Sequence, residues 1–248
     1  MDLQEDAVWG NVNCYKIESQ AATYYFDTEG AGLSGLVDKD GRDWIGFDSK
    51  TEGPSGNYRG MPNAVHKQCY VSCFHPLNQY TSLAEITITS QVEDAIALSA
   101  QCSGWEAAWQ FSENSCRFDM TVVPAGCKYW VLYEGAPYGD STPDKSWFYL
   151  SDSNKKLTCG EENFAKPLPD PQWIAFGHND SPRVLLLVNH DLAGKTGRYY
   201  WMKTMTVFGF GRGEKVHEKY FDSPGRFTIM FVESTDWDEI RKVAAELL

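Results

Sequence analysis

The chain has 248 residues, of which 42% are hydrophobic and 14% aromatic, so it can build one large core, and we expect a single domain over residues 1–248. A formal net charge of -12 argues against nucleic acid and anionic membrane surfaces as partners, because both attract positively charged proteins. A mean hydropathy of -0.43 and the lack of a long apolar run argue against a membrane span.

Short runs rich in β-branched and aromatic residues recur between turn-forming residues, which is the pattern of antiparallel strands. The predicted strands are 22–27, 33–37, 44–47, 83–89, 95–101, 105–111, 117–123, 129–133, 147–150, 173–176, 184–188, 206–210 and 227–232. Residues 85–89 alternate between apolar and polar, as in a half-buried strand, whereas 185–188 is apolar throughout, as in a strand buried on both faces. These patterns predict an all-β fold, an antiparallel two-sheet β-sandwich of supersandwich or jelly-roll type.

Three local signals complete the predicted architecture. The Asp-Gly pair Asp40-Gly41 between two strands favours a tight hairpin turn. Residues 49–63 and 166–171 are predicted long loops, where functional residues often lie. One C-terminal α-helix is predicted, with Thr235 or Asp236 as its cap. Its apolar positions are Trp237, Ile240, Val243, Ala244 and Leu247.

The seven cysteines form no CxxC pair and have no histidine at zinc-like spacing, so we predict no metal site and no cofactor. In a β-rich chain, their scattered positions favour two or three disulfides and one free thiol, although each could be a small buried hydrophobe. Disulfides imply a secreted, extracellular protein. The first six residues, however, lack the basic and apolar regions of a signal peptide.

A first cluster of candidate site residues lies in the predicted loop at 49–63 and in the segment that follows it. Arg59, Asn63, His66 and His75 are the residue types needed to neutralise a sugar carboxylate and to move a proton beside it. An equally strong alternative is a turn held by Arg59 and Asn63, with His66 as a hydrogen-bonded strand residue.

A second cluster lies in a locally basic stretch between residues 183 and 226. It combines bases with aromatic rings that could stack on sugars, although such rings more often belong to a core. Its candidate residues are His190, Tyr199, Tyr200, Trp201, Lys203 and Arg212. Glu134 is a further candidate for substrate binding.

Residues 24–44, which run from Tyr24-Tyr25-Phe26-Asp27 to Asp38-Lys39-Asp40-Gly41-Arg42-Asp43-Trp44, carry a family resemblance. This segment resembles the opening of galactose-mutarotase-like β-supersandwich domains, which occur in aldose epimerases, polysaccharide lyases and glycosidases. The resemblance implies a carbohydrate-active fold without fixing the reaction. The Asn-His-Leu-His-Gly type motif and the late catalytic glutamate of aldose epimerases are absent, which argues against simple mutarotase activity.

The leading hypothesis is a polysaccharide lyase that cleaves a uronic-acid-containing glycan by β-elimination. In it, Arg59 and Asn63 bind the carboxylate, His66 or His190 is the base, and Tyr200 is the acid. The expected partner is an acidic polysaccharide or oligosaccharide. Two alternatives remain: a non-catalytic carbohydrate-binding domain, and a glycosidase that uses paired carboxylates such as Glu134 and Asp191.

Overall fold

The N-terminal part of the chain forms an antiparallel sheet and a short hairpin. The computed structural model of the protein describes residues 1–191 and 194–248. The first four strands pair in sequence order, as expected of consecutive hairpins. They are β1 (Asp2–Trp9), β2 (Val12–Glu18), β3 (Ala22–Asp27) and β4 (Leu33–Asp38). The hairpin comprises β5 (Val65–Gln68) and β6 (Val71–Cys73).

The middle of the chain supplies seven strands, six of which join one large sheet. These are β7 (Glu85–Val92), β8 (Ala95–Cys102), β9 (Trp105–Ser112), β10 (Cys116–Val122), β11 (Val131–Gly135), β12 (Ser146–Leu150) and β13 (Ser153–Thr158). Three 3-10 turns connect other segments, at Gly53–Ser55, Pro137–Gly139 and Pro143–Lys145.

The C-terminal part completes two sheets and ends in a helix. Its elements are β14 (Phe164–Pro167), β15 (Trp173–His178), β16 (Val184–Asn189), β17 (Thr196–Met202), β18 (Met205–Phe210), β19 (Gly225–Val232) and α1 (Trp237–Leu247). The nine-stranded sheet has the order β13-β12-β15-β16-β19-β10-β9-β8-β7, and a second four-stranded sheet has the order β11-β18-β17-β14.

Strand β16 shows how the layers pack. It lies inside the nine-stranded sheet, between β15 and β19, and all six of its residues are buried. Leu185 and Leu187 join a large core that also includes residues of both four-stranded sheets. Leu186 faces a second cluster that contains Ile240 and Ala244 of α1. The two smaller sheets therefore cover one face of the large sheet and the helix covers the other, which confirms the predicted all-β sandwich.

The predicted helix is confirmed, and a turn is present at Asp40-Gly41, although it does not join two strands as predicted. Asp236 caps α1, because its carboxylate accepts hydrogen bonds from the backbone N–H groups of Asp238 at 3.0 Å and Glu239 at 3.1 Å. At the turn after β4, Gly41 has a φ of 76°, a conformation that glycine adopts without steric cost. No helix within residues 1–191 and 194–248 has the length and apolar content needed to cross a bilayer.

The predicted strand at 44–47 is wrong. The Asp43 carboxylate accepts from the backbone N–H groups of Leu36 and Ile45, and these side-chain bonds replace a strand ladder. Trp44 is buried there and donates its indole N–H to Asp38 at 2.9 Å. Strands β1 and β2 were not predicted, because the first residues of the chain are mostly polar and β1 is an edge strand that buries little.

The cysteines form two disulfides, Cys69–Cys127 and Cys73–Cys102. The remaining cysteines, Cys14, Cys116 and Cys159, are free and buried, so there are three free thiols where one was predicted. Burial raises the pKa of Cys14 to about 11, so this thiol stays protonated and unreactive. The three therefore act as small apolar side chains of the core.

Candidate functional site

A cavity of about 440 Å³ opens between the second four-stranded sheet and the loops that surround it. Its walls come from β11, β17 and the β5–β6 hairpin, together with residues 58–63, 75–81 and 212–217. Distant parts of the chain therefore meet at one concave surface. Of the predicted site residues, it brings together Asn63, His66, His75, Glu134, Tyr200 and Arg212.

Strand β17 sorts the predicted aromatic cluster by its two-residue periodicity. Arg198 and Tyr200 line the cavity. Tyr199 lies on the opposite face, where it is fully buried and donates its hydroxyl to the Cys159 carbonyl at 2.8 Å. Trp201 packs against the core and donates its indole N–H to the Lys203 carbonyl at 2.8 Å. Tyr199, Trp201 and Lys203 are thus outside the cavity and have structural contacts.

Arg212 is the main cationic group of the cavity. Its guanidinium centre lies 5.0 Å from the ring centroids of both Trp130 and Tyr200, which places two aromatic rings against the charge. Nη2 donates to the Tyr200 hydroxyl oxygen at 2.9 Å. Nε and Nη1 are buried and have no hydrogen-bond partner within the described residues. Two donor nitrogens of this cation are therefore left unsatisfied by the fold.

Glu134, on β11, is the only carboxyl group among the described residues that line the cavity. It is buried, with 7% of its surface exposed, and burial raises its pKa to about 7, although Arg212 and Asn63 both favour the ionised form. The Asn63 amide donates to Glu134 Oε2 at 2.5 Å. At neutral pH this carboxyl group can both accept and release a proton.

Asn63 holds Glu134 from a constrained backbone position. Its φ of 41° is in the left-handed region, which asparagine tolerates better than most residues. The Trp130 indole donates to the Asn63 carbonyl at 2.7 Å, and the Gly60 N–H donates to the Glu134 carbonyl at 2.8 Å. The loop and β11 are thereby fixed to each other, so the amide and the carboxyl group face each other before any ligand binds.

Lys219 places a buried amine beside the cavity, and it was missed by the sequence analysis. It is 4% exposed, and its Nζ lies 3.9 Å from the Trp130 ring centroid. The amine donates to the carbonyls of His66 at 2.6 Å and His217 at 3.2 Å. Burial, and to a lesser degree Arg212, lowers its pKa to about 7. In sequence, Lys219 sits between a glutamate and a tyrosine in a charged segment, which indicates a solvated surface.

Two of the three histidines that line the cavity, His66 and His75, are uncharged at neutral pH. Burial, together with His217 and Lys219, lowers the pKa of His66 to about 3. Burial lowers the pKa of His75 to about 4. His75 Nδ1 lies 2.7 Å from the Pro76 carbonyl and Nε2 lies 3.3 Å from the Tyr58 carbonyl, so this ring mainly organises the loop. Neither histidine carries a positive charge at neutral pH.

Arg59 and His190 are not part of the cavity. Arg59 donates to the carbonyls of Pro54 at 2.8 Å and Thr204 at 3.0 Å, and to the Ser141 hydroxyl at 3.1 Å, so it ties loops together. His190 follows β16 of the large sheet and lines a separate cavity of about 290 Å³, where Nε2 lies 2.8 Å from the Thr228 hydroxyl. The structure therefore does not bring these two residues to Tyr200.

The cavity can hold an anion and transfer a proton. Arg198 and Lys67 line it together with Arg212, so cations outnumber its one carboxyl group. The guanidinium centre of Arg198 lies 5.1 Å from the centroid of the Tyr200 ring. Arg198 also donates to the Glu214 carbonyl at 2.6 Å, which holds its guanidinium group against that ring. The Tyr200 hydroxyl oxygen accepts from Arg212, so its own proton is free to be donated.

Comparisons with solved structures define the fold family. The protein aligns with a galactose mutarotase-like protein from Lactobacillus casei ATCC 334 over 88% of this chain and 99% of that chain, at 10% identity and a TM-score of 0.53. The galactose mutarotase related enzyme from Lactobacillus acidophilus aligns over 90% of this chain and 99% of that chain, at 9% identity and a TM-score of 0.54. The chain has the galactose-mutarotase-like fold. This confirms the resemblance found in residues 24–44.

The galactose-mutarotase-like fold also occurs as part of a larger enzyme. The alpha-N-acetylgalactosaminidase NagBb from Bifidobacterium bifidum matches 94% of this chain with 38% of its own length, at 11% identity and a TM-score of 0.56. No protein-family model and no curated protein sequence matches the chain. At these identities the similarity establishes the fold and leaves the reaction to be argued from the cavity.

Proposed function

We propose that the protein is a carbohydrate-active enzyme that binds an acidic sugar in the cavity and cleaves a uronate-containing glycan by β-elimination. The observation that carries this proposal is the placement of the Arg212 cation in the same cavity as the protonatable carboxyl group of Glu134. The fold supports a carbohydrate ligand, and the excess of cations supports an acidic one.

Carboxylate binding is assigned to Arg212. A guanidinium group binds a carboxylate through charge-assisted hydrogen bonds, which are about twice as strong as neutral ones. Such an ion would offset the repulsion among Arg212, Arg198 and Lys67. This replaces the predicted role of Arg59, whose guanidinium is committed to Pro54, Ser141 and Thr204. When the guanidinium group neutralises the charge of the sugar carboxylate, the adjacent C5 proton also becomes more acidic.

Proton removal is assigned to Glu134. A general base is most effective when its pKa lies near the working pH, and Glu134 at about 7 meets that condition. His66, the base predicted from the sequence, has a pKa of about 3 and would hold a proton poorly. We assign His66 to the wall that contacts sugar hydroxyls. Asn63 keeps Glu134 in position through its hydrogen bond.

Leaving-group protonation is assigned to Tyr200, whose hydroxyl oxygen is held by Arg212. In the proposed reaction the C5–H bond breaks and its proton passes to Glu134. The electron pair forms the C4–C5 double bond, the C4–O bond breaks, and the leaving oxygen takes the Tyr200 proton. Proton transfer from Glu134 through solvent then restores the tyrosine, so the protons balance. The aromatic faces of Trp130, Tyr58 and Tyr80 line the same cavity and can stack on sugar rings.

A second candidate is sugar mutarotation. It is favoured by the single protonatable carboxyl group and by the fold shared with the galactose mutarotase related enzyme. Glu134 and Tyr200 could exchange protons with an anomeric hydroxyl and a ring oxygen. A neutral sugar, however, would offset none of the positive charge of Arg212, Arg198 and Lys67. The glycosidase alternative has less support, because Asp191 is not among the residues that line the cavity with Glu134.

We also infer that the enzyme acts in an oxidising, extracellular compartment. The disulfides Cys69–Cys127 and Cys73–Cys102 are the support for this, since such bonds persist outside the reducing cytoplasm. Acidic polysaccharides of cell walls and matrices are found in the same compartment.

The proposal is tested by incubating the purified protein with alginate, glucuronan, ulvan, pectate and glycosaminoglycans. We expect near-ultraviolet absorbance to rise with one polymer, because β-elimination leaves a conjugated unsaturated uronide. New reducing ends without absorbance would identify a glycosidase. A faster change in the optical rotation of a freshly dissolved aldose toward its equilibrium value would identify a mutarotase. Binding without any of these signals would identify a carbohydrate-binding domain.

A further inference from the structure

The β5–β6 hairpin forms the wall of a second, more open cavity of about 730 Å³. We call it the hairpin groove. Its lining is Lys67, Gln68, Cys69, Tyr70, Val71, Ser72, Gln79, Tyr80 and Ser82. Lys67, Ser72 and Tyr80 also line the candidate site. The two cavities therefore meet along a shared edge, and a ligand longer than one sugar ring can extend from the first into the second.

The lining of the hairpin groove has the chemistry of a sugar-binding surface. It offers the rings of Tyr70 and Tyr80 for stacking, the amides of Gln68 and Gln79 for hydroxyl groups, and one cation, Lys67. No acidic side chain lines it among the described residues. Lys67 Nζ lies 5.3 Å from the Tyr80 ring centroid, so a charge and a stacking face are presented together. This combination fits a sugar that carries a carboxylate.

Tyr70 is presented to solvent at the tip of the hairpin. Its relative exposure is 106%, the highest of the exposed large hydrophobic side chains. Its φ is 70° and that of Cys69 is 49°, which gives a two-residue turn with both residues in the left-handed region, where bulky residues are uncommon. The Cys69–Cys127 disulfide anchors the turn. Within the described chain, neither Tyr70 nor the Gln79 side chain has a partner that would explain this placement.

We propose that the hairpin groove binds the sugar units that adjoin the one held in the cavity, so that the substrate is an oligomer or polymer of acidic sugars. Tyr70 stacks on a neighbouring ring, Gln79 binds its hydroxyl groups, and Lys67 pairs with its carboxylate. This inference rests on the proposed function of the cavity. It adds that affinity grows with chain length and that the hairpin is where the added units bind.

The test compares oligouronates of two to six units, prepared from the polymer that the protein cleaves. For the wild type, we expect kcat/KM to rise with length. Tyr70→Ala should lower kcat/KM on the six-unit oligomer by about two- to tenfold, the effect of one stacking contact. The two-unit value should fall less, because at most one added unit can reach the groove. Leu83→Ala is the matched control, because Leu83 is 70% exposed in the same segment and does not line the groove.

Two results would overturn the inference: equal values for Tyr70→Ala and wild type on the six-unit oligomer, or an equal loss on both lengths. If the protein cleaves no polymer, the proposed function fails and binding decides the inference separately. NMR titrations with galacturonate and glucuronate, as monomers and as six-unit oligomers, then serve as the readout. Shifts at Tyr70 and Gln79 with the oligomers alone support the groove, and their absence contradicts it.

Discussion

Arg183 and Arg212 both place guanidinium nitrogens out of contact with solvent, but their partners differ. Arg183 Nη1 lies 3.0 Å from Asp38 and 2.7 Å from Asp40, and its Nε lies 3.1 Å from Glu233. Arg212 makes one side-chain hydrogen bond, to Tyr200, and leaves Nε and Nη1 without partners among the described residues. The first cation is neutralised by the fold, whereas the second keeps its charge available.

This difference separates a structural arginine from a ligand-binding one. Arg59 belongs with Arg183, because its donors are used by loop carbonyls and a hydroxyl. A buried donor without a partner has a desolvation cost of about 1–3 kcal/mol, more for a charged group, and this cost is present at Arg212 but not at Arg183 or Arg59. Which arginine lines the cavity without a carboxylate ion pair, which sequence cannot show, thus decides which one is available to a substrate.

The largest expected effect comes from Glu134, the one carboxyl group that lines the cavity with Arg212 in the described part of the chain. Glu134→Gln keeps the size and the hydrogen bond from Asn63 but cannot accept the C5 proton. We expect kcat on the cleaved polymer to fall by about 10²–10⁴-fold. The matched control is Glu233→Gln, which changes a carboxylate of the Arg183 cluster and should leave kcat unchanged. Full activity of Glu134→Gln in initial-rate assays would refute the assigned base.

The next largest effect is on stability, and it is measured by replacing each of the two arginines. Arg183→Met leaves buried Asp38 without its cation, and the free energy of unfolding should fall by about 3–5 kcal/mol in urea titrations. Arg212→Met should lower the free energy of unfolding by only about 1–2 kcal/mol, because it removes one hydrogen bond and the contacts with two aromatic rings.

Activity should reverse that order. We expect Arg212→Met to lower kcat/KM on the acidic polymer by about 100-fold, the loss of charge-assisted hydrogen bonds worth about 3 kcal/mol. Arg212→Lys, which keeps the charge but loses the planar fork, should recover part of it. If Arg212→Met instead unfolds the protein while cleavage per folded molecule stays normal, the two arginines are both structural.

The smallest effect concerns stability against pH. The pKa of Glu134 is raised from the ordinary 4.5 to about 7, so the folded chain disfavours the ionised form. Below the lower value the group is protonated in both states and contributes nothing. As pH rises through this window the wild type loses roughly 3 kcal/mol of stability, and above pH ~7 the loss stays constant.

Glu134→Gln cannot ionise, so it should be more stable than the wild type at pH 8 by up to about that roughly 3 kcal/mol, and equally stable at pH 4. Urea titrations of both proteins at the two pH values measure the difference. A gap that is the same at both pH values would show that Glu134 titrates normally.

The fold was largely predictable because its strands carry strong local patterns. Alternation in 85–89 and the apolar run at 185–188 report burial on one and two faces, and both occur as predicted. The failures have local causes. Residues 44–47 have the composition of a strand, but the Asp43 carboxylate accepts the backbone hydrogen bonds that a neighbouring strand would otherwise make. Strand β1 lies at a sheet edge, where mostly polar residues are tolerated, so it lacks the apolar pattern of a buried strand.

The candidate site was only partly predictable. Asn63, His66, Glu134, Tyr200 and Arg212 are recognisable as polar or aromatic residues in strands and loops, and they do share one cavity. Which arginine or histidine joins them depends on which sheet its strand enters. His190 follows a strand of the large sheet, and Lys219 is held beside the site by contacts with Trp130 and the carbonyl of His66, both distant in sequence. Those contacts have no local signal.

Mass spectrometry of the fragments released from a uronate polymer tests the central claim most directly. We predict fragments lighter by one water than the corresponding hydrolysis products, because elimination adds no water to the chain. Glu134→Gln should release almost none of them. Fragments of hydrolysis mass from the wild type, or elimination fragments in equal yield from Glu134→Gln, would contradict the account of the cavity around Arg212 and Glu134.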